Sequence, residues 1–295
     1  MRAQRFALLL LLPLMPACAP QPDPAYRQEI LAWRARRLER LRADDGYLAL
    51  AGLFWLHEGE NTFGSAPTND VVFPAAAPAQ AGVLLHHGGE TIVRAFPGTS
   101  LTAAGQPVDE MRLVADTEGE PTQLALGTLR FLIIRRGDRF AVRLRDPASP
   151  IRQRFHGIDS YDIDPAYRVT ARFEPYDPPK KIPVVNILGT VDTMPSPGAL
   201  LFRLHGAECR LDPVIETPGD TLLFVIFRDA TSGAETYASG RFLYTHPPRN
   251  GVVVADFNQA YNPPCAFSPY TTCPLPPPQN ELGVAVRAGE KKYEP

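Results

Sequence analysis

From Asn262 to Pro278 the chain reads NPPCAFSPYTTCPLPPP. Proline fixes φ and has no amide hydrogen to donate, so neither a helix interior nor a central strand can run through such a stretch. It has to be a stiff, irregular cover, with Asn258 and Asn262 placed to satisfy its backbone groups. The body beneath it is announced just upstream. Residues 221–229 (TLLFVIFRD) form a nearly continuous apolar run that reads as a buried strand. Residues 230–234 (ATSGA) have the small residues of a hairpin loop, and residues 235–244 (ETYASGRFLY) read as the return strand. Residues 251–256 read as a third strand ending at Asp256. Period-two alternation puts Glu235, Tyr237, Ser239 and Arg241 on one face of the return strand and Phe242 and Tyr244 on the other.

An acid, a phenol and a guanidinium on one face must be paired or hydrogen-bonded if that face is buried. Two readings of Glu235, Tyr237, Arg241, Asp256, Asn258 and Asn262 follow. In the first they form a ligand site: arginine reads carboxylate or phosphate through its rigid fork, and Glu235 or Asp256 serves as general acid or base if burial shifts its pKa. In the second they are an internal clamp, with Arg241 paired to Glu235 or Asp256 and the asparagines holding the turn. Cys265 and Cys273 lie eight residues apart. In an exported protein they favour a disulfide, which would stiffen a small loop by about 2–3 kcal/mol. Cys209 is the odd thiol, either a buried small apolar residue or an alternative partner for one of these two.

These words resemble a known family. Glu235-Thr236-Tyr237, Gly240-Arg241-Phe242, Asp256-Phe257-Asn258, Ala260-Tyr261-Asn262-Pro263-Pro264-Cys265 and Ala288-Gly289-Glu290-Lys291 look like the signature of domain of unknown function 1684, a prokaryotic family. Similar words stand upstream in residues 50–65 (LAGLFWLHEGENTFGS) and 133–146 (IIRRGDRFAVRLRD), so the resemblance covers most of the mature chain. It implies one known unit with a C-terminal signature and brings no activity with it.

At the other end, Arg2 and Arg5 precede an apolar run over residues 6–15 and then Pro16-Ala17-Cys18. This is the charged, apolar and small-residue order of a secretory signal, too short for a membrane span. Cys18 after a small residue resembles a lipidation site, so the expected layout is a signal peptide at 1–17, a tether at 18–24, a helix and β-rich lobe at 25–146, and a C-terminal β lobe at 147–295. Residues 25–43 have helical spacing of Tyr26, Ile30, Trp33 and Leu41. Residues 48–56 extend its docking surface, and 59–65 turn the chain. Short strands are expected at 71–73, 83–86, 91–95, 123–126, 129–135 and 140–145, then at 167–175, 182–191, 199–204 and 282–287. The fold class is therefore mainly β: an N-terminal helix, a β-sandwich-like lobe, and an antiparallel β-barrel-like lobe capped by the Pro-rich loop.

Other chemistry is thin. Gly64-Ser65 followed by Asn69-Asp70-Val71 resembles a forkhead-associated domain, but the Ser-x-x-His signature that should follow is missing. His57-Glu58 lacks the second histidine of a zinc protease, and Ser232 lacks a nucleophile elbow. No metal or cofactor is expected. The net charge of −2, from 30 basic and 32 acidic residues, speaks against nucleic acid as a partner. The expected function is an envelope lipoprotein, touching the membrane only through its lipid anchor, that binds a small polar or anionic ligand or an envelope protein. The alternatives are a metal-independent hydrolase using Glu235 and Asp256 with Arg241, and a purely structural protein.

Overall fold

A computed structural model describes residues 22–217 and 219–294; the signal-peptide reading and Cys18 lie outside the described residues. Helix α1 (Pro24–Arg42) starts where the Asp23 carboxylate accepts the Ala25 amide and Pro24 takes the first turn. Eleven strands follow: β1 (Leu50–Trp55), β2 (Gly59–Gly64), β3 (Val71–Val72), β4 (Gly82–His87), β5 (Glu90–Ala95), β6 (Leu101–Ala103), β7 (Gln106–Pro107), β8 (Glu110–Leu113), β9 (Leu124–Leu126), β10 (Leu129–Arg136) and β11 (Arg139–Arg145). They make a six-stranded sheet in the order β1-β11-β10-β9-β6-β7 and a five-stranded sheet in the order β3-β2-β4-β5-β8. All their pairings are antiparallel except β2 with β3. Phe63, Leu84 and Val93 from one sheet meet Phe131, Val142 and Leu144 from the other in a buried core, as a sandwich requires.

Two stretches differ from their sequence reading. Residues 50–55 are a strand against β11, and residues 59–64 are a strand against β4. The glycines misled here, because Gly64 marks a close approach rather than a turn. A Cβ there would sit 2.5 Å from the Ala79 carbonyl oxygen, and its φ of +154° is one that side chains avoid. Beside it Ser65 and Asn69 donate to the carbonyls of Ala77, Ala66 and Ala79, so the phrase that resembles a forkhead-associated domain holds its own loop. His86 is buried against Thr91, while His87 is exposed.

After the short helix α2 (Pro150–Arg154) come β12 (Arg168–Val185), β13 (Val191–Leu204), β14 (Ala207–Leu211), β15 (Leu223–Phe227), β16 (Arg241–Thr245) and β17 (Val252–Asp256). They form an antiparallel sheet in the order β14-β13-β12-β17 and a separate ribbon, β15-β16. The expected barrel does not close: the ribbon packs on the sheet without joining its ladder. Strand β15 is buried on both faces, with Leu223, Val225 and Phe227 in one core and Phe224 and Ile226 in another, which explains its unbroken apolar sequence. The expected strand at 282–287 is instead an irregular segment: Leu282 and Val284 bond to the backbone of Arg228 and Ala230, and Val286 bonds to the side chains of Asp229 and Arg241.

Candidate functional site

The return strand begins only at Arg241, so the proposed shared face of Glu235, Tyr237 and Arg241 does not exist. Residues 229–236 wrap around the Asp229 carboxylate, which accepts the Thr231 amide at 2.9 Å and hydroxyl at 2.6 Å. Gly240 then passes so close to β15 that a Cβ would lie 2.4 Å from the Phe227 oxygen, and its φ of +93° re-aims the chain.

The six candidate residues divide among separate junctions. Arg241 is fully buried and pairs with Asp229 at 2.9 Å, not with Glu235 or Asp256. Its two terminal nitrogens hold the carbonyls of Val286, Ala288 and Glu290, so it pins the segment that follows the proline loop. Asp256 accepts the Tyr26 hydroxyl at 2.9 Å and the Asn258 amide at 3.0 Å, fastening α1 to the C-terminal lobe. Burial pushes the Asp256 carboxyl upward. Asn258 joins Tyr26, Asp256 and the Asp164 carbonyl. Asn262 donates to the Lys291 carbonyl, and its amide bonds Glu290 at 2.7 Å. Glu235 takes a two-pronged ion pair from Arg287 and the Tyr161 hydroxyl, which hold it below the usual carboxylate range. Tyr237 donates to the Cys265 carbonyl. Cys265 and Cys273 stand as free thiols rather than the expected disulfide: the Cys273 sulfur accepts the Cys265 amide at 3.1 Å. Cys209 packs in the core of the C-terminal lobe.

A cleft of about 650 Å³ lies elsewhere, where α1, the six-stranded sheet, the β15-β16 ribbon and the proline loop meet. None of those six residues lines it. Strand alternation builds its floor. Phe140, Val142 and Leu144 face the sandwich core, so Arg143 and Arg145 point the other way, into the cleft. Their neighbours on the sheet offer no counter-charge. Arg143 lies opposite Leu132 on β10 and Leu53 on β1, and Arg145 lies opposite Arg130 and Leu50. Like charges across a ladder are unfavourable. Among the described residues the buried Nε atoms of both have no hydrogen-bond partner, and their one side-chain bond is a long 3.5 Å contact from Arg143 to the Thr272 hydroxyl. Burial, with the charge of Arg136 beside it, lowers the Arg143 pKa to about 10; burial also lowers Arg145. Both guanidiniums stay charged at neutral pH.

The side walls divide by chemistry. Helix α1 contributes Trp33, Arg36, Arg37 and Arg40. Arg37 is committed to Glu290 at 3.1 Å and lies 4.6 Å over the Tyr261 ring, and Arg136 is committed to Asp116 at 2.9 Å. Arg36 and Arg40 have no carboxylate partner among the described residues. The ribbon contributes Phe224, Phe242 and Tyr244. Tyr244 is stacked on Phe224 at 4.9 Å and donates to Glu216. Among the described residues no group of three His, Cys, Asp or Glu side chains is placed to hold a metal ion.

Sequence reasoning missed this floor. The signal was there in residues 139–145: an apolar-inward alternation whose opposite face carries Arg139, Arg143 and Arg145 and no acid.

Residues 153–291 match the model of a family described as a protein of unknown function, DUF1684. An uncharacterised protein of Haloarcula marismortui, solved by solution NMR, is 35% identical over 48% of this chain and 78% of its own, with a TM-score of 0.41. The FhaA FHA domain is 15% identical over 32% of this chain and 97% of its own, with a TM-score of 0.22. Mycobacterium tuberculosis EmbR in complex with a low affinity phosphopeptide is 14% identical over 43% of this chain and 33% of its own, with a TM-score of 0.22. No curated protein matches the chain.

Proposed function

Residues 153–291 of this chain belong to the DUF1684 family, and from that premise we propose that the protein binds a small anionic ligand in the cleft between its two β-rich lobes. The observation that carries this reading is the pair Arg143 and Arg145: two half-buried guanidiniums on one strand face, with no carboxylate across the ladder and both Nε atoms unpartnered. Desolvating a charge without pairing it is costly, and an anion seated between the two forks offsets that cost. The lining as a whole is basic, six arginines to two acids. Arg36 and Arg40 add two cations from α1, against Asp45 and Glu216 as the acids of the lining. The volume lies within the range of about 300–1,000 Å³ usual for small-molecule sites.

The test separates binding from stability. Arg143→Gln and Arg145→Gln should each weaken the binding of inorganic pyrophosphate, measured by titration calorimetry, by about ten- to a hundredfold, the equivalent of a charged hydrogen bond of about 1.5–3 kcal/mol. The ligand-free variants should melt at or above the wild-type temperature, since an unpaired buried charge has been removed. Arginines that serve only the fold would give the opposite pattern: lower melting and unchanged calorimetry.

Catalysis by Glu235 and Asp256 with Arg241 finds no comparable support, because each is tied into a different junction. The cleft reading joins an envelope location, supported by Arg2, Arg5, the apolar residues 6–15 and Cys18. Metabolic labelling with a radioactive fatty acid should mark the wild-type protein and fail to mark Cys18→Ser; label on the variant, or on neither, would remove the lipid anchor from the proposal.

A further inference from the structure

Among the described residues, the four arginines of the cleft that no carboxylate holds stand in two pairs on two elements. On the floor, Arg143 and Arg145 are two residues apart on β11, so their side chains leave the sheet about 6–7 Å from each other. On the wall, Arg36 and Arg40 are four residues apart on α1 and share one face of that helix, where both are exposed. The other two arginines of the lining, Arg37 and Arg136, are held by Glu290 and Asp116, which stand outside the cleft. Of the two acids that do line it, Glu216 already accepts the Tyr244 hydroxyl. The cleft therefore carries an excess of positive charge divided between floor and wall.

That division restricts the occupant. A carboxylate is planar, with two oxygens and one charge, which one fork satisfies. A phosphate group is tetrahedral and turns its oxygens in several directions, so two neighbouring forks can share it. A single phosphate ion is nonetheless small against a cleft of about 650 Å³, and it leaves the α1 pair unanswered. A chain of linked phosphates carries negative charge on every unit and extends from one pair toward the other. The hydroxyl of Thr272 suits the same occupant: it accepts from Arg136 at 3.0 Å, so its own hydrogen is left to donate. The aromatic wall offers no seat for a ring, because Tyr244 is stacked on both Phe224 and Tyr261.

We propose, resting on the anion-binding reading above, that the ligand is a linear chain of phosphate groups long enough to touch both pairs: one end lies on Arg143 and Arg145, the other on Arg36 and Arg40. One ligand then joins the N-terminal sandwich to the helix that Asp256 and Glu290 fasten to the C-terminal lobe. The recognised chemistry is the phosphate chain itself, either free or as the ester end of a nucleotide whose nucleoside stays outside the cleft.

The experiment is titration calorimetry of the whole purified chain, in buffer free of divalent cations, with inorganic phosphate, tripolyphosphate, citrate and adenosine triphosphate. Tripolyphosphate should bind about tenfold or more tightly than phosphate or citrate, the equivalent of one added charged hydrogen bond. Arg36→Gln combined with Arg40→Gln should erase the margin over phosphate and leave phosphate binding unchanged. Both positions are exposed, so this variant should melt with the wild type. Arg27→Gln combined with Arg203→Gln removes the same charge from exposed positions outside the cleft and should leave every affinity unchanged. Arg143→Gln should weaken phosphate and tripolyphosphate alike. Adenosine triphosphate binding as tightly as tripolyphosphate would assign the chain to nucleotides; binding about tenfold more weakly would assign it to the free inorganic form. Equal affinity for phosphate and tripolyphosphate, or equal losses in the two double variants, would overturn the chain while leaving the anion site standing. Citrate binding as tightly as tripolyphosphate would overturn the phosphate chemistry. No binding by any probe to a wild type whose melting shows it folded would overturn this inference and the anion-binding reading together.

Discussion

Arg241 shows how misleading a chemically attractive residue can be. A guanidinium in a polar run invites a substrate, yet it is fully buried and meets one carboxylate and three carbonyls of its own chain. Arg241→Ala should therefore cost about 3–5 kcal/mol in urea unfolding, because it strands the buried Asp229 charge as well as freeing the 286–290 backbone. Arg287→Ala, which removes an exposed partner of Glu235, should leave the same curve unmoved. The clamp reading of Arg241 was legible in the sequence as a type of role, but its partner was not. Asp229 closes the preceding apolar run, twelve residues away, and only the tight wrap through Thr231 and the close pass of Gly240 bring it round. Arg143 and Arg145 are the converse case. Their spacing was visible, while the missing counter-charge depends on which strands lie beside β11, a fact of long-range pairing that no local pattern records.

Elements were read best where their pattern is periodic and local. Helix α1 and strands β4, β5, β10 and β11 stand within a residue or two of where alternation and turn residues place them. The misreadings fall where glycine or proline serves packing rather than turning. Gly59 and Gly64 bracket a strand, and the residues beyond the proline loop lie extended without a ladder. Helix α1 matters beyond its own length, since it carries Arg36 and Arg40 to the cleft and is fixed by Tyr26. Tyr26→Phe removes the hydroxyl that bonds both Asp256 oxygens and accepts from Asn258. It should lower unfolding free energy by about 1–3 kcal/mol, the cost of leaving a buried acceptor short of a donor. A variant as stable as wild type would show that the Tyr26 hydroxyl contributes nothing to holding α1.

At the scale of the whole molecule, a set of phenols with raised pKa values gives the protein an alkaline limit. Burial and the bond to Glu235 raise Tyr161 to about 12, and burial raises Tyr26, Tyr237, Tyr244 and Tyr261 as well. In the unfolded chain these groups ionise near about 10. Between the two values the native state holds protons that the unfolded state has lost, so stability is complete below pH about 10 and falls as pH climbs through 12. Melting temperatures measured across that interval should drop steeply, and a flat profile would mean that the phenols titrate as if exposed. The contacts of α1 join distant parts of the chain. Tyr26 reaches Asp256, 230 residues downstream, and Arg37 reaches Glu290, 253 downstream. Helix α1 is thus made early by the ribosome and docks against residues made late. Most of the stability of a helix such as α1 comes from tertiary packing of its apolar face, and contacts this far apart form slowly. Until residues 256–290 have emerged, the docking face of α1 has no partner and stays within reach of chaperones and proteases.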